Sequence, residues 1–414
     1  MSVAQKRLPI GAPIGEIAWI EDESAFRDLA ADWEGLAAQL EEPTPFDLHC
    51  WYLEIWDAFF RGHAQPAICT VRRDGRLVGV FPLVSRGGRL DALANVHSCV
   101  FRPLIADAEA GDRLLREVME RPSAGLQLVG VPVDGGWPGR LDAAAADVSR
   151  VTVVEESYSS PYVDTAGDLE EWRKANKKRW KAPLEKKRRK MDRDHEAEFA
   201  IAVGPQDLDA ELEDGLKVEG SGWKGENGTA ILSRPDTAAF YRGVARAFHA
   251  RDELRFSRIA LDGETIAFDF ALLHGGRLYS LKVGYDEEFR SLAPALVMRL
   301  SIIERCFELG LRTHELLGDD APWKSQFSSG TRDHVGFFAY SRGLGGRTLY
   351  VYRAKLRPTL RRSYRRLRPH VGSRQASMSR RRGAQVNGVK PATKSAEIAS
   401  TGWPWRSIER AFIR

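Results

Sequence analysis

The stretch that decides the fold is Leu278-Tyr279-Ser280-Leu281-Lys282-Val283-Gly284-Tyr285-Asp286-Glu287-Glu288-Phe289-Arg290-Ser291-Leu292-Ala293-Pro294-Ala295. It opens as a strand, passes through a polar loop, and then takes up helical periodicity from Pro294 to Leu309. Proline suits the first helical position because its missing N–H has no intrahelical partner there, and Gly310 suits the C-cap. An apolar run, Arg312 to Leu317, follows as another strand. Ser291, Ala293 and Ala295 are small enough for a ligand to approach the backbone, and the amides of a first helical turn point their donors outward. The joint is therefore a candidate anion site.

Upstream, Arg255 to Ala260, Thr265 to His274 and Arg277 to Gly284 read as three antiparallel strands joined by Asp262-Gly263 and Gly275-Gly276. A two-residue turn at Gly275-Gly276 sets Asp269 across from Lys282. The pair is either an ion pair on a half-exposed sheet face or the polar floor of a substrate cleft. A second Asp-Gly turn, Asp74-Gly75, lies 188 residues earlier inside the strand-like run Ala67 to Val84. An amphipathic stretch, Ala110 to Glu120, and an apolar run, Leu126 to Val131, follow it in the same order. Two copies of one α/β unit, diverged beyond residue identity, are expected. The expected divisions are 1–160, a basic segment 161–200, a second unit 201–345, and a tail 346–414.

At 414 residues and 43% apolar composition the chain is too long and too apolar for a disordered tail or a single small domain. The opening residues lack a signal-peptide pattern, and no apolar stretch approaches the ~18–20 residues that span a bilayer. Cys50, Cys69, Cys99 and Cys306 lack disulfide or metal-ligand spacing. A reducing cytoplasm and no metal are expected. The net charge of +5 is unevenly spread. Arg353 to Arg382 holds twelve basic and no acidic residues, so the remainder is mildly acidic. Arg173 to Arg193 holds twelve more against Glu185 and Asp192. That second run reads either as a solvated linker helix or as a surface for phosphate-bearing acceptors or RNA.

The segment Leu278 to Leu317 resembles the acyl-CoA-binding core of the GNAT acyltransferases. Their loop pattern is Arg/Gln-x-x-Gly-x-Gly/Ala, and Arg290, Ala293 and Ala295 occupy its positions, with Ala293 in place of the first glycine. Several features extend the likeness to the FemAB-like branch: the duplicated unit, Ser221-Gly222-Trp223-Lys224-Gly225, Gly284-Tyr285-Asp286, and Gly318 through Trp323-Lys324. Within that branch the chain most resembles the CelD-type acetyltransferases associated with bacterial cellulose or exopolysaccharide synthesis, over roughly Gly15 to Arg342.

The resemblance implies tandem GNAT-like units, each a mostly antiparallel sheet flanked by helices, with acetyl-CoA or another acyl-CoA as donor. It also implies direct attack by an amine or hydroxyl acceptor, which needs a base, a donor to the thioester oxygen and an acid for the thiolate. Val283, Arg290, Ser291, Leu292, Ala293, Ala295 and Leu296 are the expected donor-binding residues. Tyr285 is a proton donor to the thiolate or a rim aromatic. Asp319 and Asp320 are a base or loop caps, and Asp269 and Lys282 complete the catalytic candidates. Trp223, Lys224, Trp323 and Lys324 are candidates for the acceptor, with Lys324 a point charge or a surface lysine. Trp223-Lys224 lies in a glycine-rich stretch that is a lid or a turn plugging the core; Glu219 is a weaker base candidate. His97-Ser98-Cys99 and His49-Cys50 read as ordinary packing or surface residues.

The expected partner is a small-molecule or saccharide-linked acceptor. An anionic membrane surface is a further candidate through residues 353–382, and tRNA enters only under an aminoacyl-tRNA-dependent reading. A non-catalytic scaffold of a polysaccharide complex is the third alternative.

Overall fold

Three two-residue turns set the sheets. Asp74-Gly75, Asp262-Gly263 and Gly275-Gly276 all hold positive φ at both positions, from 52° to 83°, as a type I′ turn requires. The computed structural model describes residues 15–221, 228 and 230–356. Strands β1 (Glu16–Ile20), β2 (Gln65–Pro66), β3 (Ile68–Arg73), β4 (Arg76–Phe81), β5 (Leu83–Arg86), β6 (Arg89–Ala92) and β7 (Leu104–Ile105) belong to the N-terminal half. They are followed by β8 (Gly125–Pro132) and β9 (Val151–Asp164). The C-terminal half supplies β10 (Ala197–Val203), β11 (Leu254–Leu261), β12 (Glu264–His274), β13 (Arg277–Tyr285), β14 (Thr313–Glu315) and β15 (Gly330–Tyr340). Among the described residues these form a small sheet, β1-β3-β4-β7, and a large one, β10-β11-β12-β13-β14-β9-β15-β8-β6-β5-β2. The architecture is the expected mixed α/β one.

The duplication is visible in residue identity after all. Gly-Gly-Arg-Leu occurs at 87–90 and again at 275–278, and Phe-Arg-x-Leu at 101–104 and 289–292, each pair 188 apart. At this offset β12 corresponds to residues 76–86, which the N-terminal half breaks into β4 and β5 at Pro82. Proline has no N–H for a ladder, and here the chain passes from the small sheet to the large one.

Each half also gives its last strand to the other. β9 pairs with β14 and β15 pairs with β8, while β9 and β15 pair with each other along Val151–Tyr162. The expected division at residue 160 falls inside β9. The basic segment 161–200, expected as a linker or helical stretch, holds α1 (Leu169–Asn176) and α2 (Ala182–Asp194) after β9, and its run Arg173 to Arg193 is not a fully solvated helix, since Trp180, Leu184 and Met191 are buried in the core. A helix with basic residues on most of its surface still packs when its few apolar positions share one stripe.

The large sheet separates two apolar clusters. Phe268, Phe270 and Leu272 face one, with α3 (Leu208–Gly220), α4 (Pro235–His249) and the N-terminal half. Ala267 and Ala271 face the other, with α2 and α5 (Pro294–Glu308). The expected Asp269/Lys282 pair does not form. A bulge shifts the β12–β13 register by one, so Asp269 lies opposite Val283 and Lys282 opposite Phe270. Asp269 is fully buried and bonds Arg299 of α5 at 2.8 Å and Ser280 at 2.9 Å. Arg299 also donates to Ser280 at 2.8 Å and to His314 Nε2 at 2.5 Å.

Removing one member of a buried ion pair strands the other. Asp269→Ala is expected to lower stability by about 3–5 kcal/mol, read as a shifted urea midpoint at unchanged slope.

Candidate active site

β13 and β14 run parallel, but they pair only over Arg277–Tyr279 and Thr313–Glu315. β13 continues to Tyr285, whereas the other strand is drawn away, the Leu316 N–H donating to Pro161 instead. Leu317 and Gly318 then adopt left-handed backbone, φ 49° and 58°, a conformation that costs a leucine strain. The Lys324 ammonium donates to the Leu317 carbonyl, and to that of Asp319 at 2.9 Å, which anchors the turn. The result is a forked sheet whose closed end is lined by Ser280, Arg299 and His314.

At the open end, residues Glu287–Leu292 form a 3₁₀ turn and Ala293 caps α5 with φ 52°, ψ 50°. Leu296 and Val297 donate their amides to the Ala293 carbonyl. The first-turn amides of a helix lack intrahelical acceptors and face any anion placed there. Of the expected donor-binding residues, Arg290 and Ser291 are exposed, Leu292 is buried, and Ala293, Ala295 and Leu296 are half-buried, while Val283 lies half-buried on β13 against the second cluster. One contributor was not foreseen. Lys187 of α2 donates to the Ser291 carbonyl at 2.5 Å, so the basic helix flanks the loop.

The same place in the N-terminal half is built differently. Asp107 stands at the position equivalent to Ala295, where it caps the helix Ala108–Glu120 by accepting from Ala110 at 2.9 Å. Arg73 binds the same carboxylate at 2.6 Å. Arg102, equivalent to Arg290, is tied to the buried Asp47 at 2.8 Å. An anion approaching that helix start meets a carboxylate already in place.

Beyond the closed end of the fork, Asp319 and Lys324 both have altered acid–base character. Burial raises the Asp319 carboxyl to about 6 and lowers the Lys324 ammonium to about 8. The Asp319 carboxylate makes no hydrogen bond among the described residues, whereas Asp320 accepts from Ser325 at 2.5 Å and so serves the loop. The Trp323 ring lies 5.4 Å from the Lys324 ammonium and 5.9 Å from the Arg299 guanidinium. Tyr285 ends β13 half-buried against the second cluster, its carbonyl accepting from Ser221 at 3.2 Å. Glu219 is buried and accepts from Ile231 at 2.9 Å. Trp223 and Lys224 lie outside the described residues.

Lys282 faces the opposite wall, 5.5 Å from the Tyr241 ring. There the Tyr241 hydroxyl lies 3.2 Å from His97 Nδ1, and His97 stacks on Phe59 at 5.5 Å. Burial, with Lys282 and Arg234 nearby, pushes His97 well below its ordinary value, so the imidazole is neutral. The Lys324 and Lys282 ammonium groups act on Cys99, whose thiol burial pushes up. Tyr158 donates to the Cys99 carbonyl. The N-terminal half therefore borders the site through His97 and Cys99, read from sequence as packing or surface residues. The recurring Phe-Arg-x-Leu was the signal: it aligns His97 with Tyr285. Among the described residues no group of three or more His, Cys, Asp or Glu is placed to hold a metal ion.

Residues 178–325 match the family model described as an acetyltransferase (GNAT) domain. The crystal structure of FemX is similar at TM-score 0.54 and 13% identity, over 82% of this chain and all of that one, which places both in one fold. The C-terminal domain of a putative lysylphosphatidylglycerol synthetase from Agrobacterium fabrum aligns at TM-score 0.49 and 12% identity, over 80% of this chain and 98% of that one. A tandem GNAT protein from the clavulanic acid biosynthesis pathway aligns at TM-score 0.44 and 13% identity, over 78% and 98%. A comparison with curated proteins returned no match.

Ala293 occupies the left-handed conformation that glycine adopts without penalty. Ala293→Gly should stabilise the protein by roughly 0.5–1 kcal/mol, the left-handed cost of about 1–2 kcal/mol less the added chain entropy of glycine. Thermal unfolding of the variant checks the sign.

Proposed function

We propose that the chain transfers an acetyl or other acyl group from acyl-CoA to an amine or hydroxyl acceptor, by direct attack and without an acyl-enzyme. The observation that carries this reading is the fork between β13 and β14, with the start of α5 at its open end. A thioester arm can lie between the parted strands while its pyrophosphate meets the helix amides. Lys187, Arg290 and the amides from Ala295 onward would hold the donor.

In the reaction the acceptor nitrogen or oxygen bonds to the thioester carbon and the carbon–sulfur bond breaks. Asp319, ionised above about pH 6, takes the acceptor's proton. Lys324, cationic below about pH 8, stabilises the developing oxyanion. Tyr285 gives its proton to the leaving thiolate. The acceptor enters from the side of Tyr241, His97 and Lys282. The resemblance to CelD-type acetyltransferases supports an acceptor from cellulose, exopolysaccharide or envelope synthesis.

A second reading, aminoacyl-tRNA-dependent transfer, is favoured by one observation. The basic helix α2 lies against the donor loop through Lys187 and Ser291, where a polyanionic donor would be steered.

Calorimetric titration with acetyl-CoA and with coenzyme A is the deciding experiment. Micromolar binding of one equivalent per chain is expected, since Asp107 closes the equivalent place in the N-terminal half. Ala295→Asp should lose at least tenfold in affinity while unfolding at the same temperature. Absence of coenzyme A binding, with tRNA held at moderate salt, would favour the second reading; neither ligand binding would favour a scaffold.

Thiol release from acetyl-CoA should follow a bell-shaped pH profile. It rises through about 6 as Asp319 ionises and falls through about 8 as Lys324 loses its proton. Asp319→Asn should remove the acid limb.

A further inference from the structure

The final described segment presents two unlike faces. Helix α6 (Leu344–Val351) and the turn Tyr352–Leu356 follow β15 directly. They are fastened to the sheet by Arg353, which bonds both Glu155 carboxylate oxygens at 3.1 Å and lies 3.1 Å over the Phe338 ring. Tyr350 adds an edge contact to Tyr340 at 6.1 Å. Away from these contacts Leu344 is 85% exposed, Val351 41%, Tyr352 50% and Leu356 51%. Four large apolar side chains within thirteen residues stand in water at the point where the sequence enters Arg353 to Arg382, with its twelve basic and no acidic residues.

We propose that the Leu344–Leu356 segment attaches the protein to an anionic lipid surface, an occupant for which the basic composition of the sequence beyond it, Arg357 to Arg382, argues. Aliphatic and tyrosine side chains enter the headgroup boundary while flanking arginines meet lipid phosphates, and the two contributions add. The apolar face selects this occupant over others. Leucine gains nothing against a nucleic-acid backbone, which basic residues alone would satisfy. A second copy of the chain, docked through the same segment, would have to overcome the repulsion between two sequences that each carry ten basic and no acidic residues from Arg357 to Arg382. No described helix is long and apolar enough to cross a membrane; the proposed attachment lies in the plane of the surface. This inference does not depend on the donor site.

The full chain should co-sediment with phosphatidylcholine vesicles containing roughly one third phosphatidylglycerol, and not with phosphatidylcholine alone. Binding should weaken as salt is raised, because the basic residues act through a screened field. Leu344→Ser with Leu356→Ser should lower vesicle affinity about tenfold, the effect of withdrawing two partly inserted leucines. Because both residues are exposed, the melting temperature should stay unchanged. Equal vesicle affinity in that variant, failure to bind anionic vesicles, or full displacement from vesicles by equimolar tRNA would each overturn the proposal. So would a concentration-dependent dimer that the variant abolishes.

Discussion

The buried ion pair between Asp269 and Arg299 is the constraint on which the forked sheet depends. It ties β12 to α5, and through Ser280 and His314 it ties both to the two strands at the point where they part. Burial raises the Asp269 carboxyl against the pull of Arg299 and Ser280 and holds His314 well below its ordinary value, hence neutral. His314 can then accept from Arg299 at Nε2 and direct its other ring nitrogen to the Cys306 sulfur, 3.9 Å away. The N-terminal half shows what the same site looks like without the network. Its equivalents of Asp269, Ser280, Arg299 and His314 are Phe81, Ala92, Gly111 and Leu126, and Phe81, Ala92 and Leu126 are buried. An apolar core is the less costly solution to packing, so the polar version belongs with the fork and not with the fold.

Exchange of the last strands explains why neither half supplies a complete site. β9 lies beside β14, and its Pro161 carbonyl accepts from the Leu316 amide that leaves the fork. Without that partner the amide would have only β13 to turn to, and the fork would close. β15, fastened on both sides to strands of the first half, carries the chain onward from Lys324. The opening is thus held from both directions: by the charge network at its closed end and by a strand of the other half along its flank. His97 and Tyr241 meet across the same boundary.

Much of this was legible in the sequence, because turn dipeptides and caps act locally. The three glycine-bearing turns, Pro294 at the start of α5 and Gly310 after its end all follow from backbone preferences of single residues. What failed was decided by neighbours distant in the chain. The bulge after Phe270 moved Asp269 from Lys282 to Val283, and turn geometry alone cannot announce a bulge further along the strand. Asp269 read as half-exposed because alternation tells which face a residue takes, not whether a helix covers that face. The basic helix read as solvated because its charge is conspicuous, while Trp180, Leu184 and Met191 are few and widely spaced. His97 read as ordinary because its importance lies in Tyr241, 144 positions away.

The two copies have diverged in a way that assigns them separate work. In the second, the loop before the helix keeps small residues at Ala293 and Ala295 and leaves its helix start open, at the expense of a left-handed alanine. In the first, Asp107 fills the equivalent place, and its carboxylate serves the helix amides that an outside anion would need. The closure is doubled by Arg73, whose side chain is only 4% exposed and which neutralises Asp107 from within. A half with its own anion and its own counter-cation has no electrostatic vacancy to offer a donor. What it retains toward the fork is the neutral His97 imidazole stacked on Phe59, groups suited to shaping a pocket rather than to holding a charged ligand. On the proposed reading, the second copy holds the donor and the first has become the wall against which the acceptor is placed.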